Sequence, residues 1–223
     1  MKTRQILTVL AAVILVFSTS FSRAQSRPAG SVEIVNVAST PATALTADTV
    51  IAASTGTLTL TAQPDCARNV LLAFTDGNGS IPTVKVTIYG KNQFGYDVTE
   101  TLVKKTTGSL VTTGSVTFAS IASIAWSGAS GWTSTSDKVQ ARMGDSVGFP
   151  IPIAAAGDLY KVQRATVLAT PVNQTIVAAN VSVLYCSYKL PANQSSATTQ
   201  WTFWARPSIT RVQEPSAGAT LTK

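Results

Sequence analysis

Residues 83–102 read TVKVTIYGKNQFGYDVTETL, and the reading of this stretch decides the fold class. Val84, Val86 and Ile88 alternate with Lys85, Thr87 and Tyr89, the two-residue period of a strand with one buried face. The run 90–95 (GKNQFG) supplies turn residues. From 97 to 104 (DVTETLVK) the alternation returns, with Val98, Glu100, Leu102 and Lys104 on one face and Thr99, Thr101 and Val103 on the other. Alternating arms on both sides of a Gly/Asn turn predict a β-hairpin.

The same grammar extends in both directions. Short β-type runs fall at 32–37 (VEIVNV), 57–61 (TLTLT) and 69–74 (NVLLAF). Asp76-Gly77-Asn78-Gly79 is the strongest turn signal and reads as a plain hairpin turn. Further strands are expected at 115–118, 121–126, 138–143, 160–167, 176–188 and 201–204. Within 176–188 the run 180–188 (NVSVLYCSY) carries apolar groups on both faces, as in a strand covered on both sides. A single helical turn is expected at 154–159. No segment after residue 24 carries a capped 3.6-residue stripe. The fold class is therefore all-β: an antiparallel β-sandwich, jelly-roll or immunoglobulin-like, spanning 32–204. Residues 205–223 hold two prolines and no apolar pattern, and read as an extended tail that is either disordered or an arm docking on a neighbour.

The N-terminus has a different character. Lys2 and Arg4 precede an apolar run at 6–17 (ILTVLAAVILVF), followed by small residues at 18–24 (STSFSRA). This is the layout of a signal peptide over 1–24, cut between Ala24 and Gln25, with a short linker at 25–31. The apolar run is shorter than the ~20 residues a spanning helix needs, so no stable membrane span is expected after cleavage. Removing Lys2, Arg4 and Arg23 lowers the formal charge from +7 to +4. With no larger basic cluster than the adjacent Lys104 and Lys105, nucleic acid is not an expected partner. Charged residues make up 12% of the chain, about half of the usual ~25%. Such a surface has little electrostatic defence against self-association.

The chemical inventory is poor. The chain has no histidine, which excludes a Ser-His-Asp or Cys-His site. Carboxylates could act in pairs, but most lie in or beside turns, and the spacing of Asp97 and Glu100 sends them to opposite faces of a strand. The run from Asp76 to Ser80 places oxygens as a calcium loop does, yet Ile81 and Thr87 stand where that loop requires Gly and Glu. No enzyme, cofactor or metal is expected. Cys66 and Cys186 either form a disulfide closing a loop of about 120 residues, worth ~4–5 kcal/mol, or remain two buried thiols. Trp126, Trp132, Trp201 and Trp204 serve either as packing or as a stacking platform for a glycan.

The hairpin 83–102 resembles one found in uncharacterised immunoglobulin-like β-sandwich proteins of tailed-phage structural modules. These show valine/threonine alternation, a turn with Phe-Gly, then Val-Thr-Glu-Thr. The runs 118–124 (FASIASI) and 143–150 (MGDSVGFP) fall where that pattern has a second strand pair and a Gly-Asp turn. The resemblance covers about 83–152 and implies a virion role of the capsid-decoration type, with self-association or other structural proteins as partners and no catalytic residue to carry over. The other expectation is a secreted module that binds a glycan or a host surface. Location divides accordingly: periplasmic or extracellular if the signal is cleaved, the virion surface if it is not.

Overall fold

The computed structural model describes residues 31–37, 42–132, 135–166, 170–191 and 199–208. The signal segment 1–24, the site at Ala24 and Gln25, and the tail beyond Ser208 lie outside them. In chain order the strands are β1 (Ser31–Val37), β2 (Thr49–Val50), β3 (Gly56–Leu58), β4 (Arg68–Thr75), β5 (Val84–Lys91), β6 (Asp97–Lys104) and β7 (Leu110–Thr113). They continue with β8 (Ser120–Ser127), β9 (Lys138–Gly148), β10 (Leu159–Thr166), β11 (Val172–Gln174), β12 (Val181–Ser182), β13 (Ser187–Lys189) and β14 (Thr199–Ala205). Strands and turns make an all-β molecule, and its ladders are antiparallel.

Three sheets result. The hairpin sheet has the order β3-β8-β5-β6. The central sheet runs β12-β13-β9-β4-β7, with β2 also on β9. The terminal sheet runs β1-β14-β10-β11. From β2 to β9 the chain alternates between central and hairpin sheets, staying in one sheet only for the β5–β6 hairpin. This alternation builds a sandwich, because each crossing lays a new apolar face against the other sheet.

The hairpin forms as the sequence predicts, with Val84 opposite Lys104 and Lys91 opposite Asp97. Val84, Val86 and Ile88 are fully buried. In the turn, Asn92 Oδ1 accepts the N–H groups of Phe94 and Tyr96 at 3.0 and 3.1 Å. Gly95 takes φ +83°, a left-handed geometry that favours glycine.

Two apolar clusters hold the sheets together. In the first, Val70, Leu72, Phe74, Val139, Ala141 and Met143 of the central sheet meet Val84, Val86, Ile88, Leu102, Ile124 and Trp126 of the hairpin sheet. In the second, Val147, Phe149 and Tyr188 meet Val162, Trp201 and Phe203 of the terminal sheet. Phe149 and Phe203 stack with centroids 5.2 Å apart. Strand β9 serves both clusters. Its register against β4 slips between Arg68–Val147 and Val70–Met143, a bulge that redirects the strand from one cluster to the other. Asn69 holds the bulge: its Oδ1 accepts Ser146 N–H at 2.8 Å and its Nδ2 donates to the Gly114 carbonyl at 2.9 Å. Gly144 leaves the room, since a Cβ there would lie 2.1 Å from Asn69 Oδ1.

Several expectations need correction. The stretch 180–188 is not one strand. It is a tight return: β12, a turn at 183–186, then β13. Tertiary bonds override its β propensity, as Gln93 Nε2 donates to the Tyr185 carbonyl and Phe149 N–H to the Cys186 carbonyl. The Asp76–Gly79 turn joins β4 to β5 across two sheets, so it is not a hairpin turn. No strand forms at 115–118, where only Phe118 makes an isolated bridge to Arg68; the strand nearby is β7 at 110–113, which pairs with β4. The helical turn is present as a 3₁₀ turn at Ala156–Asp158, with Asp158 Oδ2 accepting the N–H groups of Ala154 and Ala155.

Candidate functional site

Strand β6 presents Val98, Glu100, Leu102 and Lys104 to the interior, so two charges enter an apolar sandwich. Each is used. Glu100 Oε1 accepts the N–H groups of Ser115 at 2.6 Å and Val116 at 3.3 Å. Lys104 Nζ reaches across to the loop that follows β4 and meets Asp76 Oδ2 at 3.0 Å, with both side chains fully out of water. It also donates to the carbonyls of Ile81 and Thr106.

Asp76 is correspondingly well held. Its Oδ2 accepts Gly108 N–H at 2.9 Å and Ile81 N–H at 3.3 Å, and its Oδ1 accepts Ser80 N–H at 2.9 Å. Burial pushes this carboxyl up, but Lys104 and the backbone donors of Gly108 and Ser80 outweigh it and hold Asp76 below its ordinary value. Asp137 lies one step beyond the Thr75–Lys138 pair, opposite Asp76, and is itself fully buried. Its Oδ2 accepts Ser80 Oγ at 3.4 Å. The loop that resembles a calcium site thus has the Lys104 ammonium as its counter-charge. Among the described residues no group of three or more His, Cys, Asp or Glu could hold a metal ion.

The other carboxylates are scattered. Asp97 is exposed and pairs with Lys91 at 2.7 Å, while Glu100 points inward, so the two do lie on opposite faces. Asp145 pairs with Lys189 at 3.6 Å, and Asp65 with the buried Arg68 at 3.3 Å.

Cys66 and Cys186 are not bonded to each other, so of the two expectations the disulfide is not the one formed. The reason is topological. Gly148 bonds Ala67 on one side and pairs with Ser187 on the other, so the cysteines flank β9. Two strand spacings, about 9–10 Å, separate them, beyond the ~7 Å Cα limit of a bridge. Burial pushes the Cys66 thiol well above its ordinary range, aided by Asp65. It is therefore a poor nucleophile.

The four tryptophans do not gather. Trp126 is buried and donates Nε1–H to the Ala53 carbonyl at 3.2 Å. Trp132 packs half-buried against the first cluster, and Trp201 lies fully inside the second. Trp204 alone of them points to the outer face of the terminal sheet, with Lys161 Nζ 4.4 Å from its ring centre.

Three of the exposed large apolar side chains, Leu110, Val111 and Val172, stand on outer strands. β7 ends the central sheet with Leu110 and Val111 in solvent, the latter 57% exposed. β11 ends the terminal sheet with Val172 exposed. Among the described residues no helix is long and apolar enough to cross a membrane. Compared with protein-family models, curated proteins and solved structures, the chain matches none.

The Lys104–Asp76–Asp137 group was not anticipated as a site. Its signal was present in the alternation, which puts Lys104 on the face of Val98 and Leu102.

Proposed function

We propose that this chain is a non-enzymatic building block of a surface assembly, an immunoglobulin-like component of a virion of the capsid-decoration type. The observation that carries the reading is the open edge at β7, where Leu110 and Val111 stand in solvent on the last strand of the central sheet. An uncovered strand edge with apolar side chains is a template for pairing with another chain. The low charge of the sequence leaves that edge poorly guarded. The resemblance of 83–152 to phage structural proteins points the same way.

Light scattering on the purified protein tests this. The wild type is expected to form oligomers, and Val111→Lys to shift them toward single chains with unchanged circular dichroism. A wild type that stays monomeric at high concentration contradicts the reading.

Trp204 favours a second reading, a secreted module that takes a glycan on the outer face of the terminal sheet. Lys161 already covers one face of that ring, which weakens it as a stacking platform. Glycan-induced quenching of fluorescence that disappears in Trp204→Ala would support this alternative.

A further inference from the structure

Lys104 Nζ and Asp76 Oδ2 stand 3.0 Å apart, both removed from water, the lysine ending β6 of the hairpin sheet and the aspartate directly following β4 of the central sheet. We propose that the two side chains condense into an intramolecular amide, an isopeptide bond that ties the hairpin sheet covalently to the central sheet.

The surroundings supply what the reaction needs. The carbonyls of Ile81 and Thr106 hold the amine against the carboxyl, so encounter is already achieved in the folded state. Asp76 Oδ2 faces two backbone donors, Gly108 N–H and Ile81 N–H. These would stabilise the negative charge that grows on this oxygen when nitrogen adds to Cγ, as an oxyanion hole does. The other oxygen, Oδ1, is bonded to Ser80 N–H, and Ser80 Oγ is bonded to the buried Asp137. Ser80 thus joins Asp137 to the oxygen that leaves, through its N–H on one side and its hydroxyl on the other, and in this step the buried Asp137 carboxylate accepts a proton from the ammonium and returns it to that oxygen.

The step balances without a co-reactant. The ammonium gives up a proton and its nitrogen lone pair forms the N–Cγ bond. The Cγ–Oδ1 bond then breaks. That oxygen departs as water with two of the three protons that were on Nζ, and the third remains as the amide N–H. No group is oxidised or reduced. The driving force is the removal of two buried charges whose desolvation is costly, in favour of a neutral amide. Afterwards Oδ2 keeps its backbone donors, and the amide N–H keeps one of the two carbonyls as acceptor. The ion pair is the resting reactant, and the bond forms only once folding has brought the sheets together.

Mass spectrometry of the full chain tests this, with the N-terminus fixed from the same sample. The wild type is expected to be one water lighter than its sequence. Peptide mapping should find the segments holding Asp76 and Lys104 joined. Asp137→Asn and Lys104→Met should both have the full sequence mass. Asp137→Asn leaves both bonding partners in place, so its loss of the bond in a protein with native circular dichroism reports on proton transfer and not on misfolding. A folded wild type of full mass, with the two segments separate, overturns the proposal. A bond that persists in Asp137→Asn overturns the role given to Asp137.

Discussion

Glu100 and Lys104 occupy positions that strand alternation reserves for the core; Glu100 is answered by backbone N–H groups and Lys104 by Asp76 and two carbonyls. Glu100→Ala would leave the Ser115 and Val116 N–H groups without their acceptor. A loss of about 1–3 kcal/mol follows, measurable as a lower urea midpoint at unchanged slope. Asp76 gives a pH signature. In Asp137→Asn, where the ion pair is expected to persist, the folded carboxyl lies below its unfolded value of about 3.9. Its stabilisation is therefore full above that value and is lost as pH falls through the lower folded one. Melting temperatures of this variant should drop over that acid range more steeply than those of the wild type, whose Asp76 is spent in the amide. Equal slopes would count against the bond. The inward direction of these side chains was legible in the sequence, since parity alone sets it. Their partners were not, because Asp76 is 28 positions from Lys104 and follows a strand of another sheet.

At the scale of elements, the β5–β6 hairpin was fully readable because its turn and both alternations are local. The return at 181–189 was not. Its residues favour a strand, and Gln93 and Phe149, distant in sequence, hold it bent. The β9 bulge was equally hidden, since Asn69 and Gly144 acquire their roles only by meeting. Gly144→Ala should force Asn69 off its bonds and cost about 1–3 kcal/mol, as overpacking does. Gly56→Ala should behave similarly, because a Cβ there would sit 2.1 Å from the Trp126 ring. Its Trp fluorescence should also shift. Wild-type stability in either variant would remove the packing argument.

For the whole molecule, the all-β class followed from the strand rhythm, but the number of sheets did not, because β9 reads as one strand while serving two clusters. The sequence left the cysteines open between a bridge and two thiols for a related reason. Export chemistry favours a bridge, and the topology puts the backbone of β9 between the two chain segments that carry the cysteines. Denatured, unreduced protein should therefore take up two equivalents of a thiol reagent; uptake of none would restore the disulfide. The building-block account makes its sharpest claim about location. Particles purified by density gradient from the source should contain this chain in many copies, beginning at Met1 or Lys2. A soluble monomer in the medium, beginning at Gln25 and absent from particles, would contradict it.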